Sequence, residues 1–157
     1  MGFETPSLKG RALRLLCGRE YSRAELERKL KPHEEEPGQL VRALDELTAK
    51  GFLSEQRVVE SVVNRRSAKL GAARVRQELQ AKGIDPEAVA QAVGQLQASE
   101  FERAREVWRR KFGEPAADAA SAAKQSRFLM TRGFGSDVVR RVLKEAASRV
   151  DEPLSED

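Results

Sequence analysis

The sequence predicts an all-α protein made of three tandem three-helix modules in an elongated, curved repeat array. Three observations carry this reading. Leu79, Lys82, Gly83 and Ile84 return fifty positions later as Leu129, Arg132, Gly133 and Phe134. Each copy is followed by apolar residues at i, i+3, i+4 and i+7, namely Val89, Ala92, Val93 and Leu96 in one and Val139, Val142, Leu143 and Ala146 in the other. That spacing is one buried helix face, written twice. A weaker copy lies upstream, where Leu30 matches Leu79 and Leu40, Ala43, Leu44 and Leu47 supply the same stripe. The period divides the 157 residues into modules at 1–51, 52–98 and 99–150, with an acidic, frayed tail at 151–157. A unit of about 50 residues buries too little surface to be strongly stable alone, so the modules share neighbours' surfaces.

Each element follows from local chemistry. The first helix, Leu8 to Cys17, carries Leu8, Ala12, Leu15 and Leu16 on one face. Ser22 opens the second, and Glu25 three residues on completes a capping box. Pro32 ends that helix, His33 to Gly38 form a loop, and the third runs from Gln39 to Lys50, where Gly51 stops it. In module two, Ser54 caps a helix over Glu55 to Lys69 that buries Val58 or Val59 with Val62 and Val63. Gly71 breaks the chain, Ala72, Val75 and Leu79 mark the next helix, and Asp85 with Pro86 starts the third as N-cap and first helical residue. In module three, Ser99 and Glu102 form a second capping box, with Phe101, Ala104, Trp108 and Phe112 facing inward. Its second helix spans Ala117 to Arg132, Gly133 ends it, and Ser136 caps the last helix, Asp137 to Arg149. Phe134, Ile84 and Phe52 each follow a helix-ending glycine and are expected to plug the space between helices.

Composition narrows function. The single Cys17 has no intramolecular partner, and its apolar neighbours predict a small buried side chain. No apolar run reaches the roughly 18 residues of a membrane span, and the first ten residues lack a signal-peptide core, so a cytoplasmic protein without a membrane role is expected. No phosphate-cradling glycine loop or nucleophile with a base is present, which predicts no catalytic site, cofactor or metal. His33 among Glu34, Glu35 and Glu36 reads as a solvated loop. Phe128, Phe134 and Trp108 have core spacing rather than that of base-stacking platforms.

Charge is the remaining signal. Of 29 Lys and Arg against 25 Asp and Glu, seven basic residues face two acidic ones between Arg57 and Lys82, and twelve face six between Phe101 and Val150. Arg65, Arg66, Lys69, Arg74, Arg76 and Lys82 are the candidate partner-binding residues of module two, brought together by the turn at Gly71. Arg109, Arg110, Lys111, Lys124, Arg127 and Arg132 are those of module three. Such ridges suit phosphates or an acidic protein surface, and the same cations also favour helix C-termini.

Arg74, Val75, Gln77, Glu78, Leu79, Lys82, Gly83 and Ile84, followed by Phe128, Leu129, Arg132, Gly133 and Phe134, resemble the RecX regulatory proteins. Arg11 to Leu15, Ser22 to Leu30, Lys50 to Leu53 and Lys111 to Gly113 extend the likeness over about Leu8 to Val150. The resemblance implies a non-enzymatic bacterial regulator that binds the RecA nucleoprotein filament, inhibits its ATP hydrolysis, strand exchange and growth, and contacts RecA, with single-stranded DNA within or beside the filament as a further partner. A monomer is expected, because the apolar stripes are accounted for internally. A helical DNA-binding protein and a scaffold for another protein remain the alternatives.

Overall fold

The computed structural model describes residues 5–149. Among them the chain forms nine α-helices: α1 (Leu8–Gly18), α2 (Arg23–Leu30), α3 (Gln39–Ala49), α4 (Glu55–Arg66), α5 (Ala72–Ala81), α6 (Pro86–Ala98), α7 (Glu100–Lys111), α8 (Ala119–Thr131) and α9 (Ser136–Ser148). A single 3-10 turn, Lys31–His33, follows α2. The 151–157 tail lies outside the described residues.

The apolar side chains gather into three separate cores, one per set of three helices. Leu26, Leu44 and Leu47 are fully buried in the first, Val58, Val62, Val75 and Leu79 in the second, and Leu129, Val139 and Val142 in the third. Burying one such side chain contributes about 1.5–3 kcal/mol, so each core opposes the entropy of ordering its own module. The stripes predicted on α3, α6 and α9 all face inward. Phe101, Phe112 and Leu143 are half-buried at the edges.

Most helix ends are set by the expected residues. The Ser22–Glu25 capping box is complete and Ser54 accepts the Arg57 amide, while Ser7, an unpredicted cap, accepts that of Gly10. Gly51, Gly83 and Gly133 adopt φ of 81°, 70° and 88°, the left-handed conformation that releases the chain from a helix. Pro32 converts the end of α2 into the 3-10 turn. α4 is shorter than predicted, ending at Arg66.

Several sequence expectations are corrected. Ser99 is at once the C-cap of α6 and the N-cap of α7, with φ −107° and ψ 4° instead of an extended N-cap conformation. Its hydroxyl therefore donates back to the Leu96 carbonyl and accepts from Arg103 Nε, so no capping box forms with Glu102. Ser136 is the first residue of α9 and Gly135 its N-cap. Asp118 supplies the unpredicted cap of α8, accepting the Ser121 amide at 2.7 Å. Asp85 holds the N-cap position of α6 without a side-chain capping bond. Cys17 is exposed, because it lies nine residues, about 180° of helix rotation, from buried Leu8. Phe134 and Ile84 are buried plugs, whereas Phe52 is 50 % exposed and Leu53 is buried in its place. Gly83 and Gly133 join second to third helices inside a module, but Gly51 ends a third helix and leads out of one.

The modules meet in chain order through a repeated contact. The C-terminal end of α5 abuts the N-terminal turn of α2, with Gly83 against Ala24, and the C-terminal end of α8 abuts the N-terminal turn of α5, with Gly133 against Arg74. Both partners of the second contact lie fifty residues beyond those of the first, so the sequence repeat is also an interface repeat.

Candidate partner-binding surface

The twelve predicted basic residues separate into two sets when their side-chain partners are traced. Arg66 Nε donates to Glu78 Oε2 at 3.1 Å, and Arg65 approaches the other Glu78 oxygen at 3.8 Å. Arg109 donates twice to Glu106 and Arg110 once, at 2.8 to 2.9 Å. These two guanidinium groups lower the Glu106 carboxyl to about 2. Such exposed pairs contribute little to stability, yet they offset positive charge that a partner would otherwise meet.

Two further predicted residues act inside the array. Arg74 donates to the Thr131 carbonyl at 3.1 Å, one of the last carbonyls of α8, and its side chain packs on Gly133. Lys82 spans modules one and two to reach Glu25 Oε1 at 3.1 Å, both side chains 14 % exposed. The turn at Gly71 thus does not gather Arg65, Arg66, Arg74 and Arg76 into one open patch: Glu78 takes two of them and the neighbouring module takes a third.

The other set carries no carboxylate partner among the described residues. Lys69 and Arg76 in module two and Lys124 and Arg127 on α8 are exposed. Lys111 and Arg132, which follow or end α7 and α8, flank the half-buried Phe128 ring at 5.4 and 4.9 Å from its centre. Phe112 meets the same ring edge to face at 5.4 Å. Lys124, Phe128 and Arg132 recur at i, i+4 and i+8, so they share one side of α8 over about 12 Å, with Arg127 alongside. Cations on aromatic faces are held in place without losing their charge. The result is a preorganised basic face on module three, to which Lys111 belongs although it comes from α7.

Sequence reasoning did not find the residues that set these elements in register. Glu100 is 7 % exposed, and its Oε1 accepts the Ala72 amide at 3.0 Å. Arg103 donates to the carbonyls of Ser67, Leu70 and Leu96 at 2.7 to 2.8 Å, tying α7 to the α4–α5 connection and to the last turn of α6. Burial pulls the Arg103 guanidinium below its ordinary pKa, and Glu100 opposes the shift. Gln125, 7 % exposed, accepts from Trp108 Nε1 at 2.9 Å and donates to the Glu114 carbonyl. No local pattern marks these positions, because each partner comes from a distant segment. Among the described residues no group of three or more His, Cys, Asp or Glu side chains could hold a metal ion, and no helix is long and apolar enough to cross a membrane.

Fold and surface together define a tandem three-helix repeat protein that presents a basic face whose cations pair with no carboxylate among the described residues. The family model of the second three-helix domain of RecX matches residues 54–93, and that of the third matches residues 98–143. The chain is 58 % identical to the regulatory protein RecX of Leptothrix cholodnii over 140 residues, 89 % of each chain. It is 47 % identical to that of Ralstonia nicotianae, covering 93 % of this chain and 92 % of the relative. A crystal structure of RecX from Lactobacillus salivarius shares the fold with a TM-score of 0.74 at 20 % identity, over 90 % of this chain and 95 % of that one. The chain belongs to the RecX family of regulatory proteins.

Proposed function

We propose that this protein is a non-enzymatic, cytoplasmic negative regulator of RecA that acts as a monomer on the RecA nucleoprotein filament. Family membership supports the regulatory role, and the basic face formed by Lys111, Lys124, Arg127 and Arg132, none of them paired with a carboxylate among the described residues, supports the mode of contact. Acidic RecA surface or the phosphates of single-stranded DNA beside it would meet these cations. Lys69 and Arg76 extend the contact onto module two. Arg65, Arg66, Arg109 and Arg110 contribute less, because Glu78 and Glu106 offset them.

The mechanism is differential binding. A protein that favours filament arrangements poor in ATP hydrolysis and strand exchange shifts the population toward them, by no more than its difference in affinity for the two states. Linked modules raise the effective concentration of each successive contact, so weak contacts along the filament combine into a tight one.

The test is single-stranded-DNA-dependent ATP hydrolysis by the cognate RecA, titrated with this protein, beside its binding to the same DNA without RecA. Inhibition well below one copy per RecA with weak binding to bare DNA supports filament recognition. No inhibition, or inhibition only where bare DNA is saturated, rejects it in favour of direct DNA binding.

A further inference from the structure

The two joints of the array are built differently. Modules two and three are linked through Ser99 alone, which closes α6 and opens α7. Their contact engages main chain on one side or both: the Gly71 amide donates to the Arg132 carbonyl at 2.8 Å, the Ala72 amide to the carboxylate of buried Glu100, and the guanidinium groups of Arg103 and Arg74 to carbonyls of Ser67, Leu70, Leu96 and Thr131. A Cβ on Gly71 would fall within the backbone of Gly133 and Phe134. Partners this close leave no room to slide.

Modules one and two meet otherwise. Five residues, Lys50 to Ser54, connect α3 to α4, with Gly51 in the left-handed conformation and Phe52 exposed. Side chains hold the contact: Glu25 to Lys82 at 3.1 Å, Glu20 to Arg57 at 2.9 Å, and Arg28 to the Ala81 carbonyl at 3.3 Å. Ala24 and Gly83 touch without a hydrogen bond between them. A cleft of about 490 Å³ opens beside this contact, lined from module one by Ser22 and Arg23 and from module two by Ile84 and Pro86.

We propose that modules two and three form one rigid body and that module one swings against it, hinged at Lys50–Ser54 and latched by Glu25–Lys82 and Glu20–Arg57. The contact of Gly83 with Ala24 is the pivot, and opening widens the cleft. The exposed Glu20–Arg57 pair is screened by salt and the more sheltered Glu25–Lys82 pair less so, whereas the main-chain bond from Gly71 to Arg132 and the buried Glu100 contact of the other joint are the least affected. Interfaces of this polar kind permit relative motion of the units they join. The hinge stands independently of the identity of the partner.

Pulsed electron-paramagnetic-resonance distances between spin labels test it in the full chain. One pair uses the native, exposed Cys17 with Gln91→Cys and spans the first joint. The second uses Gln91→Cys with Ser148→Cys in a Cys17→Ser background and spans the other. The first distribution is expected to be the broader, and to broaden further or shift with Lys82→Ala and, without any substitution at the latch, at roughly 1 M salt, where the screening length falls to about 3 Å. The second is expected to stay narrow under both treatments. Two equally narrow distributions, or a first one that neither Lys82→Ala nor salt changes, would overturn the hinge. So would a second distribution that broadens as much as the first. Retention of helical circular dichroism by Lys82→Ala separates release of the latch from unfolding.

Discussion

The backbone of Gly71 lies directly against that of Gly133, 62 residues further along the chain, so that α5 begins where α8 ends and the two helices join end to end. Neither position admits a side chain, for different reasons. Gly71 has an ordinary backbone conformation but no space, and Gly133 has a φ of 88° with the Arg74 side chain and amide beside it.

Gly71→Ala is therefore expected to destabilise the protein by about 1–3 kcal/mol, the usual cost of forcing atoms into a filled contact. Gly94 is the internal control. It sits inside α6, exposed, and an added Cβ there meets nothing within 4 Å. Gly94→Ala is expected to stabilise by about 0.5–1 kcal/mol, because it removes only the entropic cost of a helical glycine. Urea denaturation of both variants measures the opposite signs.

Glu25 links stability to acid. Burial alone pushes its carboxyl up, but the Ser22 amide, Arg19 and Lys82 outweigh it and lower the value from the ordinary 4.5 to about 2. The folded state thus binds fewer protons than the unfolded one between these values, so stability rises with pH there. The contribution is fully present above 4.5 and lost as pH falls through about 2. Glu25→Gln is expected to be less stable than the parent at neutral pH, with the difference shrinking as the window is crossed downward. A difference that holds constant from pH 6 to pH 2, read from urea midpoints, would show that Glu25 acts only as a cap.

Trp108 and Gln125 form a buried polar pair whose removal from one side is costly. Gln125→Leu leaves the indole N–H of Trp108 without its acceptor and is expected to cost about 1–3 kcal/mol. Adding Trp108→Phe to that variant removes the stranded donor, so the double variant is expected to lose less than the sum of the two single changes. Additive losses in a double-mutant cycle would remove the pair from the account of module three.

Charge reversal distinguishes the two sets of cations. Lys124→Glu with Arg127→Glu is expected to raise the concentration needed for half-inhibition of RecA ATP hydrolysis by about tenfold or more, equivalent to ~1.4 kcal/mol. Arg109→Glu with Arg110→Glu is expected to have a smaller effect, because Glu106 already offsets these residues. Equal effects of both double variants would locate recognition in net charge instead of in the face around Phe128.

The helices were legible because their signals are local. Val89, Ala92, Val93 and Leu96 state a period of 3.6 within eight residues, and Ser22 with Glu25 states a helix start within four. The misread positions are those where two elements compete for one residue. Ser99 fits the capping pattern, yet it must also end α6, and that backbone state turns its hydroxyl the other way. Phe52 follows a glycine as Phe134 does, but the chain is leaving a module there instead of continuing one. Cys17 has apolar neighbours in sequence and solvent around it in space, since adjacent residues of a helix point about 100° apart.

The candidate surface was legible as a list of residues but not as a surface. Sequence by itself determined the repeat, the three cores and the basic character of modules two and three, because helix period and composition depend only on residues near one another in the chain. Tertiary structure alone decided which cations are taken up inside the array. Lys82 finds Glu25, and Arg74 finds the Thr131 carbonyl, each 57 residues away. Whether a charge stays open depends on what the docking of modules brings within about 4 Å of it, and Coulomb attraction acts on that distance, not on separation along the chain.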